Sequence, residues 1–359
     1  MNQNFIKPDA WSIVEDGFDP TRVRAAESLF SLGNGAMGQR ANFEEQYSGD
    51  TFQGSYIAGI YYPDKTRVGW WKIGYPEYFA KVLNAPNWIG IDVLIDGEVL
   101  DLATCLSVEQ FRRELHMKEG WYERTFVATL PNGARIRVVS RRFLSLHMDE
   151  VGMIRYSVTP LNRDVRINFL PYLDSGVENY DSNWDDKFWD TLRITEGHRR
   201  GSILTRTRKT EFYVAAFMAN ELSLDNVPLE LDPNTVDGRN ITCLKQNYEY
   251  DVKAGQTLTL TKTGGYVTSL NHDKDDLEVV VHQVLDSVQE LGYDEMMEQQ
   301  RREWANIWKS ADITVEGDLK AQQGIRFNIF QLNQTYLGRD HRLNIGPKGF
   351  TGEKYGGST

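Results

Sequence analysis

The residues of this chain best equipped for chemistry lie in its last stretch, residues 344–359, which reads Asn-Ile-Gly-Pro-Lys-Gly-Phe-Thr-Gly-Glu-Lys-Tyr-Gly-Gly-Ser-Thr. Glycines allow a backbone to approach a ligand closely, and Lys348, Phe350, Glu353 and Lys354 set charge and an aromatic face among them. Charge and a stacking face are what such a loop offers a ligand. Glu353 and Lys354 either contact the ligand too or hold the loop as a local ion pair.

Other candidate motifs fail on spacing. Gly33-Asn-Gly35-Ala-Met-Gly38 matches the string of a dinucleotide-binding turn. No apolar helical face follows it, so it reads as a tight turn between strands. In the run from Gly352 to Thr359, Ser358 stands where a phosphate-binding loop needs its lysine, and no strand precedes that serine to make a nucleophile elbow. Asp181-Ser-Asn183-Trp-Asp185 begins like a calcium loop but lacks the glycine at its sixth position and has Leu192 in place of the bidentate glutamate. The six histidines show no metal-ligand spacing, so no metal is expected. Tyr180, Trp184, Phe188 and Trp189 stand among acids in residues 178–190. That segment is either a solvated loop with some rings tucked under it or a loop reaching toward a sugar.

Composition narrows the class. In 359 residues, 51 acids against 40 bases give a net charge of −11, which disfavours a nucleic-acid partner. No run of apolar residues reaches membrane-spanning length, and residues 1–11 hold no apolar signal core, so a cytoplasmic protein is expected. Cys105 and Cys243 are far apart in strand-like surroundings and read as free thiols.

These residues need a scaffold, and the hydrophobic pattern supplies one. From about Trp11 to Tyr266 the chain reads as strands with short turns. Asp96-Gly97 and Pro131-Asn132-Gly133 are hairpin signals, which together mean a large sandwich rather than a parallel sheet. The pattern changes near Asn271. Leu277, Val280, Val281, Val284, Leu285 and Val288 fall at helical spacing, and Gly292 follows as a stop. Asp294 is placed to cap a second helix, in which Trp304 and Trp308 stand one turn apart. A third helix is expected over 318–337, with Ile325, Ile329, Phe330, Leu332 and Tyr336 as its apolar face. The expected domains are a β-sandwich over 1–270, a helical linker over 271–316, and the start of a helical domain over 317–359.

Three stretches resemble glycoside hydrolase family 65, the disaccharide phosphorylases. They are Glu27-Ser-Leu-Phe-Ser-Leu-Gly-Asn-Gly-Ala-Met-Gly-Gln-Arg40, Phe327-Asn-Ile-Phe-Gln-Leu332, and residues 344–359. The last is most similar to the maltose-acting branch. The resemblance implies a mainly β N-terminal super-sandwich, an α-helical linker and the first helix of a catalytic (α/α)6 barrel. It implies an inverting phosphorolysis in which one glutamate protonates the glycosidic oxygen while inorganic phosphate, the co-substrate, attacks the anomeric carbon. No other cofactor, no nucleic acid and no membrane enter that chemistry, and the parent enzyme is expected to be a homodimer. On this resemblance the catalytic glutamate lies beyond Thr359, and the 359 residues alone are expected to be inactive. Lys348, Phe350, Glu353 and Lys354 then edge a glucose site. Kojibiose, nigerose or trehalose remain alternative substrates, and a stand-alone carbohydrate-binding or structural sandwich remains an alternative role.

Overall fold

A computed structural model describes residues 5–66, 77–184, 186–234 and 241–343. Lys348, Phe350, Glu353 and Lys354 lie outside the described residues.

Beside a three-stranded sheet (Leu32–Gly33, Met37–Gln39, Ser55–Ile57) and a two-stranded one (Tyr61–Lys65, Tyr78–Val82) among the described residues, most of the expected strands form two antiparallel sheets. One has eleven strands among the described residues, running Ile6–Lys7, Ser12–Asp16, Ser107–His116, Trp121–Thr129, Arg135–Leu144, Val151–Pro160, Leu258–Thr268, Tyr213–Leu224, Arg200–Thr207 and Trp189–Gly197, with Val227–Leu229 on Tyr213–Leu224. The second has five, built around Val165–Asp174 and Ile91–Ile95. The chain thus leaves the large sheet at Pro160 and enters the small one at Val165, although the pattern reads as one uninterrupted series. Asp96 and Gly97, with φ of 52° and 82°, form the turn after Ile91–Ile95 that the Asp-Gly pair predicts.

Strand alternation gives the large sheet two buried faces. Val214, Ala216 and Met218 face the small sheet, together with Ile154, Tyr156 and Val158. Ala215, Phe217, Val151 and Met153 face the other way. That second face is covered not by the short helix α1, Val23–Leu29, but by α2, Leu277–Ala311, through Leu277, Val281, Leu285, Val288, Tyr293, Met296 and Met297. The strands here are therefore apolar on both sides, as burial between two layers requires. Gly292, at φ 74° and ψ 166°, breaks α2 into two helical halves at the position the sequence marks. At the expected cap position of the second half, Asp294 lies 3.1 Å from Arg155.

The small sheet does not cover the whole inner face. Irregular chain over residues 40–54 fills the remainder, and its buried backbone needs partners that no strand provides. Arg142 donates to the carbonyls of Arg40 and Asn42 at 3.2 and 3.4 Å and pairs with Glu44 at 3.0 Å. Arg124 bonds Glu44 at 2.9 Å and also grips Glu45, to which the Tyr156 hydroxyl donates at 3.1 Å. All four charged side chains are at most 1% exposed. Burial opposes ionisation of Glu44, yet the charges of Arg142 and Arg124 hold its carboxyl below the usual range.

Lys262 is also fully buried, and its Nζ donates to the carbonyls of Gly90 and Tyr172 at 2.9 and 2.8 Å. A neutral amine has two N–H groups for these two acceptors, and burial holds Lys262 well below the ordinary lysine range. Cys105 and Cys243 are free and half-buried, and burial pushes both thiols up to about 11.

Two stability tests follow from these buried groups. Arg124→Met leaves Glu44 and Glu45 short of a buried partner and is expected to cost about 3–5 kcal/mol in urea unfolding. For Lys262 the folded pKa lies below the unfolded value of 10.5, so the folded chain binds fewer protons between the two. Stability from this group therefore rises with pH through that window, by at most about 1.4 kcal/mol per pH unit. Lys262→Met should flatten the rise in unfolding midpoint between neutral pH and about 10.

Candidate functional site

The described approach to the glycine-rich loop begins at α3, Leu319–Thr335, which Asp318 caps by accepting from the amides of Lys320 and Ala321 at 3.0 Å. The helix lies where the sequence places it, but its buried face differs from the expected one. Gln322, Gln323, Arg326, Phe330 and Gln334 are buried, whereas Leu332 is 60% exposed and Ile325 and Ile329 are only half-buried. The reason is the nature of the opposing surface, which consists largely of backbone carbonyls that need donors. Gln323 donates to the carbonyls of Lys7 and Ser12 at 2.8 and 2.7 Å, and Arg326 to that of Ala10 at 3.1 Å.

Phe330 supplies the apolar part of the contact. It is fully buried and stacks on Trp304 at 4.5 Å. Trp304 stacks on Trp308 at 6.0 Å, and Trp11 meets Trp308 edge-on at 5.1 Å. Arg326 closes the series over the Trp11 ring at 3.6 Å and forms a two-pronged pair with Asp312, both contacts at 2.8 Å. Three distant segments are joined here: the N-terminal strands, the second half of α2, and α3. Gly120, at φ 70°, is needed beneath them, because a Cβ there would sit 1.8 Å from Trp304 Nε1.

Past α3, residues 336–343 run along the sandwich and line a cleft. Its other wall comes from the 34–37 turn, Ile57, Ala58, Asp149, Glu150, Tyr266, Leu270 and Asn271. Arg339 reaches the Leu146 carbonyl and pairs with Glu303 at 3.0 Å. Arg342 reaches the Leu270 carbonyl and Asn271, and its hydrogen bonds to Asp340 pull that carboxyl down to about 2. His272 Nε2 lies 2.6 Å from Glu150 Oε1, and burial raises the Glu150 carboxyl despite this partner. The cleft thus has an apolar floor with a few fixed polar groups, the usual make-up of a small-molecule wall. Among the described residues no cluster of His, Cys, Asp and Glu is arranged to hold a metal ion.

The Gly33–Gly38 string is the expected turn between Leu32–Gly33 and Met37–Gln39. In residues 178–190 the rings divide. Phe188 stacks on Tyr62 at 4.1 Å and Trp189 donates to the Asn84 carbonyl at 2.8 Å, both buried. Tyr180 and Trp184 are 71% and 49% exposed. Sequence reasoning did not find Gln334, Arg339, Arg342 or the Glu150–His272 pair. Only the pairing of Arg342 with Asp340, two residues away, carries a local signal.

The family's N-terminal domain matches residues 13–307, and its central catalytic domain matches residues 326–359. The chain belongs to glycosyl hydrolase family 65. It is 43% identical over 364 residues to maltose phosphorylase of Bacillus subtilis, covering all of this chain and 46% of that protein. It is 32% identical to the α,α-trehalose phosphorylase of Thermoanaerobacter brockii, covering 97% of this chain and 45% of the relative. A solved structure of a candidate kojibiose phosphorylase from the human microbiome superposes with a TM-score of 0.87 at 26% identity, covering 99% of this chain and 46% of that one. The chain therefore spans about half the length of the curated relatives it matches. No described helix is long and apolar enough to cross a membrane.

The Arg326 contacts give a direct test. Arg326→Ala removes the fork to Asp312 and the cation over Trp11, both largely buried. It is expected to cost about 2–4 kcal/mol in thermal or urea unfolding.

Proposed function

We propose that this chain is the sandwich, helical linker (271–316) and barrel entry (317–359) of an inverting disaccharide phosphorylase that acts on maltose. The single observation that carries the reading is the 43% identity to a maltose phosphorylase across the full chain. The match of residues 326–359 to the family's catalytic domain supports placing the 317–359 segment at the entry to the catalytic unit.

In this reading phosphate oxygen forms the new bond to the anomeric carbon as the glycosidic bond breaks with inversion. A glutamate outside these residues gives its proton to the departing glucose oxygen, and the products are β-glucose 1-phosphate and glucose. Phosphate is already an anion at neutral pH, so no second carboxylate has to activate it. Lys348 and Phe350, with Glu353 and Lys354, edge the site of the glucosyl unit that is transferred. The sandwich contributes position rather than a reacting group. A second linkage has specific support, since relatives named for α,α-trehalose and kojibiose also match, at 32% and 29% identity.

Assay of the full-length enzyme decides between them. Glucose release from maltose should require inorganic phosphate, with kcat/KM for maltose at least about tenfold above that for trehalose, kojibiose or nigerose. Residues 1–359 alone should give no turnover. Phosphate-independent hydrolysis, or a preference for another linkage, would overturn the assignment.

A further inference from the structure

We infer that Gln334 and the Gly33-Asn34-Gly35 turn form a positioning joint that holds residues 336–343, the lead-in to the sugar loop proposed over 344–359, and that the sandwich thereby sets substrate affinity. The inference rests on the phosphorylase reading and adds a positioning residue to it.

Gln334 is 3% exposed, and every hydrogen-bonding atom of its amide is used. Its Oε1 accepts from the Gly33 amide at 3.0 Å, and its Nε2 donates to the Ser31 carbonyl at 3.3 Å and to Gln331 Oε1 at 2.7 Å. Its backbone carbonyl accepts from the Gly35 amide at 2.9 Å. The amide is therefore held in one orientation, with oxygen toward the turn. Contact is also close: a Cβ on Gly33 would lie 2.6 Å from the Gln334 carbonyl oxygen. Gly35, at φ 85°, abuts Leu337.

The turn is itself fixed to the large sheet's end. Asn34 is 1% exposed and its Nδ2 donates to the carbonyls of Ser145 and Asp149, both at 2.9 Å. Its Oδ1 accepts from the amides of Ala36 and Met37 at 3.1 and 2.8 Å. Arg339 returns to the same region at Leu146. The last turn of α3 and the segment after it thus share one rigid support, ten residues ahead of Asn344 in sequence.

The rest of α3 is held independently by Phe330, Arg326 and Gln323. Loss of the joint should free residues 336–343 while leaving the helix docked, which separates positioning from overall stability. A small misplacement of a binding loop is enough to weaken ground-state contacts with the sugar.

The test uses Gln334→Met and Gly33→Ala in the full-length enzyme, with Leu332→Ala on the exposed face of α3 as a control. We expect KM for the disaccharide to rise about tenfold with kcat within about twofold in both variants. The double variant should fall short of the sum of the two singles, because both act on one joint. Hydrogen exchange of amides 336–343 should quicken in Gln334→Met, while that of the Leu258–Thr268 strand stays protected. Unchanged KM and unchanged exchange would overturn the inference. So would faster exchange throughout the sandwich with a large fall in Tm, which marks a structural role only. An inactive wild type would defeat the phosphorylase reading instead, and the exchange data would still decide whether the joint holds residues 336–343.

Discussion

The rest of the molecule depends on how a wide sheet is covered by chain that is not sheet. The inner face of the large sheet extends past the small one, and residues 40–54 lie across the excess as irregular backbone. Irregular backbone can be buried only if its carbonyls and amides find partners, and the interior offers no water. Arg142 projects from the sheet to supply carbonyl partners, and Arg124 on the neighbouring strand joins it in pairing with Glu44 and Glu45, so that no net charge is buried. Arg40 and Glu27 extend the arrangement, with Arg40 Nε on the Phe52 carbonyl at 2.8 Å and the Phe52 amide on Glu27 at 2.8 Å. A purely apolar patch of the same size would leave this backbone unsatisfied.

Holding residues 40–54 in place also fixes the chain just before them, the hairpin that contains Gly33, Asn34 and Gly35. That hairpin is the seat of the C-terminal turn of α3. At the other end of the helix, residues 5–12 offer carbonyls to Gln323 and Arg326. α3 is therefore received at both ends by exposed backbone, and glutamine and arginine are the long side chains that can donate to it. The aromatic series Phe330, Trp304, Trp308 and Trp11 lies between the two polar ends and provides most of the apolar area of the contact. Placement comes from the polar ends and adhesion from the rings.

The same logic separates the two kinds of buried charge. In the arginine–glutamate network Arg142 and Arg124 offset the burial of Glu44 and hold its carboxyl below the usual range. Among the described residues Lys262 bonds carbonyls and pairs with no carboxylate, and burial disfavours its ammonium. Neither arrangement lines the cleft beside residues 336–343. Both stabilise the platform from which residues 336–343 carry the chain toward the sugar loop. In the cleft itself the fixed polar groups are few, and Arg339 and Arg342 act on backbone carbonyls of the sandwich, so their function is to hold the segment down.

Local signals in the sequence determined the elements. Alternating residues, Asp96-Gly97, the Gly292 break and the helical spacing after Asn271 each act within a few positions, so strands, turns and helices could be read from them. The family resemblance was also legible, because it rests on continuous stretches such as Gly33–Arg40. Only the tertiary structure decided which sheet Val165–Asp174 joins and which face of α3 is buried, and there the apolar pattern pointed to Leu332, which is exposed. Helical periodicity assumes an apolar partner, whereas α3 meets carbonyls. Nothing in the sequence marks Glu44 and Glu45 as buried, and Gln334 carries no mark at all, since its partners at Ser31, Gly33 and Gly35 stand about three hundred positions earlier. Spacing along a chain reports the residue's own element; which groups meet across such a distance is settled only when buried donors and acceptors must be paired in three dimensions.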